Sequence, residues 1–354
     1  MSKIIVSVII PTFNSDRTIS LVLASLKNQS YSGQRMEILV VDGGSTDRTL
    51  TIAYKHHVRI INNPKTEQNY GKYLGYLKAR GRYLLYLDSD EVLKNERSLE
   101  IRLKIFQDNP QVRMIIGSGY EDPVNVNFVS SYTNEFGDPF SFFIYRMSKN
   151  ANYFLKSMKK KYINYRDEKK CTIFNFSNIS DLPLIELNAG SGMFDGRFLK
   201  KEFPDNKNIV TQLNHSFYLI CQKAPLLAIT KDDPVVHFSS NTFFKYLRKI
   251  EWRIKNNTYF SLTQGKSVFT GREQFLSKKN RNKKYLFIPY AYSLILPLVD
   301  AIYLVFVRKN MGYFGHVFLS LYTATLIMYH GFSKILGVKS SLLSYGDNRP
   351  LASL

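Results

Sequence analysis

The chain is poor in cysteine, tryptophan and acidic residues. Its 354 residues include 2 Cys, 1 Trp and 28 Asp plus Glu. Cys171 and Cys221 give neither a disulfide framework nor the spacing of a metal site, which excludes a disulfide-stapled or zinc-based fold. No helix-turn-helix, zinc or RNA-binding motif is present, so we expect no nucleic-acid partner. The N-terminus shows no signal-peptide pattern, which predicts a cytosolic location for the main folded part.

Positive charge and apolar residues are abundant instead. The 49 Lys plus Arg give a formal net charge of +21, and 44% of the residues are hydrophobic. This length and composition predict one large globular domain with an appended element. Because nucleic-acid motifs are missing, anionic lipid and phosphorylated substrates account best for the charge.

Three apolar runs in the first ninety residues predict buried strands. They are Val6 to Ile10, Ile38 to Val41 and Tyr83 to Leu87, each continuous as in a parallel sheet covered on both faces. Residues 18–27 and 48–55 between them have helical spacing, so the pattern predicts an α/β fold. Polar residues follow each run: Asn14, Asp42 and Asp90. Ligands bind beyond the carboxyl ends of parallel strands, so these side chains are expected to converge on one molecule.

The motif Asp88-Ser89-Asp90 predicts a divalent cation. Two carboxylates one residue apart at a strand end suit Mg or Mn that also binds diphosphate oxygens. Such an ion would stabilise a nucleoside diphosphate leaving group. An isolated Asp-x-Asp is more often a solvated turn or a helix cap, but its place after a buried strand favours the metal.

Four motifs in residues 4 to about 95 resemble the donor half of family 2 glycosyltransferases. They are Pro11-Thr12-x-Asn14, Val41 to Asp47, Asn69 to Gly81 with Lys72, and Leu87 to Asp90. The resemblance implies a GT-A fold, a Rossmann-like and mostly parallel mixed sheet flanked by helices, and inverting transfer from a nucleotide sugar. It further implies that Asp42 hydrogen-bonds the base and that Asp90 ligates the metal. The other residues implied to bind the nucleotide sugar are Pro11, Thr12, Asn14, Lys72, Asp88 and Ser89.

The general base is the least defined part of the predicted site. An inverting transfer needs one base near the acceptor hydroxyl unless the acceptor is already an anion such as a phosphate. Family members usually supply an Asp, but residues 209–217 contain no carboxylate, and Asn214 stands at that position. His215, whose ordinary pKa is near 6.5, and Asp205 are the candidate bases, and either is also compatible with a structural role.

Three further segments have both a functional and a structural interpretation. The segment Pro234 to Phe238 contains His237 and resembles the short strand ending in His of many relatives. His237 is either a second metal ligand beside Asp90 or a buried structural histidine. Arg248 and Lys249 lie on a probable helix and either bind phosphate groups or belong to a solvated face. Residues 188–194 form either an acceptor-side loop or a plain turn.

The C-terminal part combines basic and apolar segments. Residues 271–284 are a basic linker before apolar stretches at 286–307 and 313–332, each about 20 residues long. Because Pro289, Pro297, Asp300 and His316 interrupt them, a transmembrane hairpin, helices in one leaflet and a soluble dimer interface stay open. The predicted domains are therefore 1–270 (catalytic, with a donor half 1–95 and an acceptor half 96–270), 271–284 (linker), 285–335 (membrane-associated helical hairpin) and 336–354 (tail).

The tail also resembles that of membrane-associated prokaryotic members of the family. We therefore expect a metal-dependent inverting glycosyltransferase at the cytoplasmic face of the cell membrane, acting on a lipid-linked acceptor such as polyprenyl or dolichyl phosphate or its glycan. By analogy the donor is GDP-mannose, with UDP-sugars open, and a homodimer through the C-terminal helices is a further expectation. The competing hypothesis is a non-catalytic scaffold that binds nucleotide sugars at the membrane.

Overall fold

The chain folds into two compact units. The computed structural model describes residues 4–31, 35–182, 191–202, 216–239, 242–259 and 273–340. The first unit comprises Met1–Pro123 and Lys149–Phe238, and the second comprises Val124–Ser148 and Ser239–Leu354. The boundaries expected at residues 95, 270, 284 and 335 stay predictions.

Within the described residues, two sheets organise the first unit. The strands are β1 (Val6–Thr12), β2 (Met36–Asp42), β3 (Arg59–Asn62), β4 (Tyr83–Tyr86), β5 (Glu91–Leu93), β6 (Met114–Ile116), β7 (Tyr120–Glu121), β8 (Tyr165–Asp167), β9 (Cys171–Asn175), β10 (Met193–Asp195), β11 (Leu226–Thr230) and β12 (Val235–His237). The larger sheet has the order β3-β2-β1-β4-β10-β6-β11-β9-β8, and the smaller has the order β5-β12-β7. Strands β1 to β4 pair in parallel, whereas β10 is antiparallel to both neighbours. The α/β prediction is therefore confirmed.

The helices alternate with the first strands. They are α1 (Ile19–Lys27), α2 (Thr49–Lys55), α3 (Gln68–Lys78), α4 (Ser98–Asp108), α5 (Phe128–Phe136), α6 (Pro139–Tyr145), α7 (Ala151–Lys161), α8 (Gly196–Glu202), α9 (Ser216–Lys223), α10 (Phe243–Tyr259), α11 (Lys278–Asn282), α12 (Phe287–Tyr292), α13 (Ile295–Arg308) and α14 (Gly315–Ile335). Short 3-10 turns lie at Glu273–Phe275, Lys283–Leu286 and Met311–Phe314. Helices α5, α6 and α10 to α14 belong to the second unit.

Helix α3 packs unusually closely on β1. All seven residues of β1 are buried. A Cβ on Gly75 would overlap the Cγ2 atom of Ile9, and one on Gly71 would lie 3.1 Å from Cβ of Pro11. Glycine therefore sets the distance between helix and strand, and this contact fixes where Lys72, one residue after Gly71, projects.

The first apolar stretch of the C-terminal part is two helices rather than one. Helices α12 and α13 are separated by Ser293 and Leu294, and the bend between the segments Lys278–Tyr292 and Ile295–Arg308 is 90°. Leu294 adopts a positive φ of 56° at this break. Among the described residues, the one continuous helix that is long and apolar enough to cross a bilayer is Met311–Ile335.

Candidate active site at the carboxyl edge of the sheet

The polar residues after β1, β2 and β4 lie together at one edge of the larger sheet. Thr12 and Asp42, the last residues of β1 and β2, are paired in register. The Gly43 amide donates to the Thr12 carbonyl at 2.8 Å. The hydroxyl oxygens of Ser15 and Ser89 are 2.9 Å apart, which joins the loop after β1 to the segment after β4. The structure therefore brings three sequence-distant motifs to one place, although their binding roles stay predictions.

Asp42 shapes the turn that follows β2. Its buried carboxylate accepts the Gly44 and Ser45 amides, each at 2.9 Å, and the Ser45 hydroxyl at 2.5 Å. Gly44 has a φ of 89°, a conformation that favours glycine. In the described part of the protein, the buried hydroxyl of Thr12 has no hydrogen-bond partner. An unsatisfied buried hydroxyl at a strand end is suited to accept or donate to a ligand.

Asn14 connects the loop after β1 to the same turn. Its backbone amide donates to the Ser45 hydroxyl at 2.9 Å, and its side-chain oxygen accepts the Thr46 backbone amide at 2.9 Å. The backbone of Asn14 has a φ of 46°, which Asn tolerates better than most residues. Pro11 lies just before this loop, in contact with the Gly71 position of α3. The predicted nucleotide-binding loops thus hold each other in place.

Lys72 and Asp88 form an ion pair inside the site. The Lys72 Nζ atom is 2.9 Å from Oδ1 of Asp88. Burial disfavours the charged amine, but the Asp88 carboxylate, followed by Glu91 and Asp90, outweighs it and raises the pKa of Lys72 above its usual value. A fixed positive charge therefore lies among the carboxylates of the Asp-x-Asp motif.

His237 lies beside Asp90, as the hypothesis of a shared metal site requires. The Nε2 atom of His237 is 3.5 Å from Oδ2 of Asp90. The pairing of β12 with β5 places His237 opposite Glu91, and the Phe238 amide donates to the Asp90 carbonyl at 2.8 Å. Burial opposes the charged imidazole, but the carboxylates of Asp90 and Glu91 raise the pKa of His237.

The donor set suits a cation shared with a diphosphate. Among the described residues there is no group of three or more His, Cys, Asp or Glu side chains that would form an all-protein cage. Mg²⁺ is commonly held by one or two carboxylates together with substrate phosphates, and Mn²⁺ also accepts imidazole. The Asp90 side chain is 38% exposed and the His237 side chain 19% exposed. One carboxylate and one imidazole at the sheet edge therefore fit such an ion.

Glu91 and Tyr120 support this pair, and neither was predicted from the sequence. The buried Glu91 carboxylate accepts the Tyr120 hydroxyl at 2.6 Å and the Asp88 amide at 3.0 Å. Burial, followed by the Asp88 carboxylate, raises the pKa of Glu91 above its ordinary value. The Tyr120 ring stacks on His237 with centroids 4.7 Å apart. A carboxylate directly after Asp90 was the available signal, but no sequence pattern connects Tyr120 to His237.

A buried ion pair, also not predicted from the sequence, anchors the end of the predicted acceptor-side loop. Arg102 donates to Oδ2 of Asp233 at 3.0 Å and to the Ser191 carbonyl at 2.6 Å. The adjacent Gly192 carbonyl accepts the Tyr86 amide at 2.9 Å. The end of the predicted acceptor-side loop is thus fixed against β4, while residues 188–190 lie outside the described residues.

The remaining predicted residues are not among the described residues of the first unit. Both candidate bases, Asp205 and His215, lie outside the described residues, as does Asn214. Arg248, which is exposed, and Lys249, which is partly buried, lie on α10 in the second unit. Their roles in catalysis and phosphate binding stay predictions.

Comparison with known proteins identifies a family domain in the first half of the chain. Residues 7–177 match the family described as Glycosyl transferase family 2. The poly(ribitol-phosphate) beta-N-acetylglucosaminyltransferase TarS of Staphylococcus aureus strain Mu50 is 34% identical over 96 residues, which are 25% of this chain and 17% of that protein. A dolichyl N-acetyl-alpha-D-glucosaminyl phosphate 3-beta-D-2,3-diacetamido-2,3-dideoxy-beta-D-glucuronosyltransferase of Methanococcus voltae is 32% identical over 124 residues, which are 32% of this chain and 38% of that protein. The matches thus span less than two thirds of either relative.

A solved structure supports the fold over most of the chain. The mannosyltransferase PcManGT from Pyrobaculum calidifontis, solved in complex with GDP-Man and Mn²⁺, has a TM-score of 0.53 at 12% sequence identity. The similarity covers 93% of this chain and 87% of that one. At this identity it shows the fold alone, which agrees with the mostly parallel, helix-flanked sheet seen here. Residues 7–177, just under half of the chain, therefore form a domain of glycosyl transferase family 2, and the fold is GT-A.

Proposed function

We propose that this protein transfers a sugar from a nucleoside diphosphate to a lipid-linked acceptor with inversion of the anomeric centre. The observation that carries the proposal is the single cluster formed by Lys72, Asp88, Asp90 and His237 beside the loops after β1 and β2. An acceptor oxygen attacks the anomeric carbon while the bond from that carbon to the β-phosphate oxygen breaks. The nucleoside diphosphate leaves with the bond electrons, and any acceptor proton passes to a base.

Each residue of the cluster has a role in this proposal. Asp90 and His237 hold a Mn or Mg ion, which when bound neutralises charge on the diphosphate leaving group. Lys72 keeps Asp88 oriented for contact with the ribose or sugar, next to Ser89. The nucleotide pocket is lined by Pro11, Thr12 and Asn14, and Asp42 both shapes its turn and hydrogen-bonds the base.

A lipid-linked acceptor is supported by four features. The formal charge of +21 favours anionic partners, and many apolar side chains between residues 285 and 338 are exposed. Asn214 replaces the usual acidic base, and a phosphate acceptor needs no strong base. The Methanococcus voltae relative is named for a dolichyl-linked substrate. We therefore propose a polyprenyl or dolichyl phosphate, or a glycan on such a lipid, at the cytoplasmic face of the cell membrane.

The donor can be identified directly. GDP-mannose is the first donor to test, because the Pyrobaculum structure contains GDP-Man and Mn²⁺, and UDP-sugars are the alternative. Detergent-solubilised protein is incubated with Mn²⁺ and a panel of GDP- and UDP-sugars, with and without a polyprenyl phosphate. Nucleotide release and lipid product are then followed. Release from one donor that requires the lipid supports the proposal, whereas equal release without lipid contradicts the acceptor class.

An isosteric substitution tests the metal role of Asp90. Asp90→Asn keeps the backbone carbonyl that accepts the Phe238 amide but removes the carboxylate. We expect the turnover at limiting Mn²⁺ to fall by about a hundredfold, since loss of a charged ligand weakens metal binding at least as much as loss of its supporting groups. Asp108→Asn, at an exposed ion pair on α4, is the matched control and should leave turnover unchanged. Unchanged metal-dependent turnover in Asp90→Asn would overturn the assignment.

One observation favours a second candidate function. The absence of a carboxylate in residues 209–217 is also what a non-catalytic nucleotide-sugar-binding scaffold would show. In that case donor binding would be detected by calorimetry, but no acceptor in an extended panel of glycosylated lipids would cause nucleotide release. Cellular function would then survive Asp90→Asn.

A further inference from the structure

Helix α13 has its charged residues paired within the second unit and an outer face that is entirely apolar or aromatic. Asp300 accepts hydrogen bonds from Arg146 at 2.6 Å and from the Tyr290 hydroxyl at 2.5 Å. At the end of the helix, Arg308 donates to the buried Glu135 carboxylate at 2.7 Å. The outward side chains are all apolar or aromatic and are 39–78% exposed: Ile295, Leu296, Leu298, Val299, Ile302, Tyr303 and Phe306. A water-facing helix has the opposite arrangement.

The polar residues that interrupt the apolar stretches are satisfied within the second unit. His316 is buried, with Nδ1 at 2.6 Å from the Tyr132 hydroxyl and Nε2 at 2.9 Å from the Tyr290 hydroxyl. The same Tyr290 bonds to Asp300. These groups therefore do not oppose contact of the outer face with hydrocarbon, where an unpaired polar group would be costly.

A basic segment adjoins the apolar face. Lys278, Lys279 and Arg281 on α11 are exposed. They directly precede Tyr285 and Leu286, which are 69% and 58% exposed. Residues 273–340 contain nine Lys or Arg and two Asp or Glu, and both acids are paired, Glu273 with Lys284 and Asp300 with Arg146. Cations beside apolar and Tyr side chains are typical of a surface that binds anionic lipid headgroups and inserts below them.

The geometry of the helices argues against crossing the bilayer. Helix α13 has 14 residues, about 21 Å of helix, which is shorter than the roughly 30 Å hydrocarbon core. Helix α14 is long enough, but α10 runs beside it, with Phe243 against Phe318 and the Tyr259 hydroxyl bonded to the His330 carbonyl at 3.2 Å. Five cations lie on α10: Lys245, Arg248, Lys249, Arg253 and Lys255. A span by α14 would carry these charges into hydrocarbon.

We infer that the outer face of α13, the bend at residues 292–296 and the basic helix α11 dock on one leaflet of an anionic bilayer without crossing it. A second copy of the chain is a poorer occupant, since it would bring two surfaces of the same positive charge together. The inference rests on the membrane location in the proposed function and adds which surface makes the contact and how deep it lies. None of the tests below uses a sugar donor, so failure here is distinct from failure of sugar transfer.

Vesicle binding tests the surface. The probe is a phosphatidylcholine vesicle with or without phosphatidylglycerol, followed by co-sedimentation. The triple variant Leu296→Ser, Val299→Ser, Phe306→Ser removes side chains that are 52%, 58% and 78% exposed, so the fold should survive. We expect at least about tenfold weaker binding to both vesicle types, because each buried apolar group contributes to insertion. The matched control, Ile163→Ser at an 87% exposed isoleucine of the first unit, should bind as the parent does.

Charge neutralisation tests the headgroup contact. Lys278→Gln with Lys279→Gln and Arg281→Gln should weaken binding to the anionic vesicles by about tenfold or more and leave binding to neutral vesicles unchanged. Unchanged vesicle binding in both triple variants overturns the inference. A shift of the serine variant from dimer to monomer, with vesicle binding retained, overturns it in favour of a second copy.

Cysteine labelling tests the depth. Single cysteines replace Asn282, Lys309 and Lys339, which are all exposed, and sealed membrane vesicles are treated with a membrane-impermeant maleimide. The native Cys171 and Cys221 are buried, so background labelling should be low. Docking on one leaflet predicts that all three positions react from the same side. Labelling of Lys309→Cys or Lys339→Cys from the opposite side would show a crossing helix and overturn the inference.

Discussion

At the residue scale, the buried guanidinium of Arg102 joins three segments of the first unit. It contacts Asp233 between β11 and β12, and it donates to both the carbonyl and the hydroxyl of Ser191 before β10. Ser98 and Thr230 donate to the same Asp233 oxygen at 3.0 Å and 3.3 Å. A buried charge pair is tolerated when hydrogen bonds compensate it in this way, although Oδ1 of Asp233 has no such partner among the described residues. If one partner of the pair is removed, the charge of the other partner stays buried without compensation.

Substitution of Arg102 is therefore expected to destabilise the first unit strongly. Arg102→Met should lower the free energy of unfolding, measured by urea denaturation, by about 3–5 kcal/mol because the Asp233 carboxylate stays buried. Adding Asp233→Leu should restore part of the loss, since neither charge remains. The control Arg97→Met breaks an exposed pair with Glu100 and should leave the free energy of unfolding nearly unchanged. Equal effects of the two single substitutions would contradict this account.

The candidate site could be predicted from sequence only where its residues are close in the chain or follow strands. Asp88 and Asp90 follow a short apolar run, so their convergence with the loops after β1 and β2 follows from parallel pairing. His237 also ends a short apolar run, but it comes beside Asp90 through the antiparallel pairing of β12 with β5, which the sequence does not show. Arg102, Tyr120 and Glu91 act through contacts with residues far away in sequence, such as Ser191 and His237. No local pattern encodes those contacts, which depend on the tertiary arrangement.

At the element scale, the packing of α3 on β1 depends on the absence of a side chain at Gly75. Gly75→Ala should lower the free energy of unfolding by about 1–3 kcal/mol, because the new methyl group overlaps Ile9 in a fully buried strand. Gly331→Ala on α14 is the matched control, since a Cβ added there would have nothing within 4 Å. At that position the better helix propensity of alanine should stabilise by up to about 1 kcal/mol. Two changes of the same sign in urea denaturation would refute the packing argument.

The apolar periodicity of the sequence predicted which segments are helices or strands far better than it predicted where a helix is interrupted. The strands predicted at 6–10 and 38–41 and the helix predicted around Arg248 and Lys249 are confirmed. Their apolar residues repeat regularly because the helix buries one face and the strands are buried on both faces. The stretch 286–307 was expected as one segment, but it is two helices that meet at 90°. The bend lies at Leu294, not at either proline of the stretch, and a leucine at positive φ has no sequence signal.

At the scale of the whole molecule, the two units carry different surfaces. The first unit contains the edge where Asp90 and His237 lie, and the second contains the apolar outer face of α13. Residues 124–148 belong to the second unit although the chain returns to the first at Lys149. A division of the sequence into consecutive domains cannot predict that a unit consists of two separate segments. The chain's one tryptophan, Trp252 on α10, provides a fluorescence probe of the second unit alone.

The buried His316 makes the stability of the second unit depend on pH. Burial lowers the pKa of His316 from 6.5 to about 4; the Asp300 carboxylate opposes this effect, and the Arg146 cation adds to it. In the unfolded chain the imidazole binds a proton near pH 6.5, whereas in the folded protein it does so only near pH 4. Protonation therefore favours unfolding between these values. The stabilisation is complete above about pH 6.5 and is lost as the pH falls toward 4.

We expect the free energy of unfolding in urea, followed by Trp252 fluorescence, to fall by up to about 3 kcal/mol between pH 7 and pH 4. His316→Gln should be less stable than the parent at pH 7, because the hydrogen bonds to Tyr132 and Tyr290 are disturbed. Its stability should nevertheless fall less as the pH is lowered. His57→Gln, at an exposed histidine of the first unit, should keep the pH dependence of the parent protein. If His316→Gln and the parent lose the same free energy over this range, groups other than His316 control the acid sensitivity, since no other change separates the two proteins.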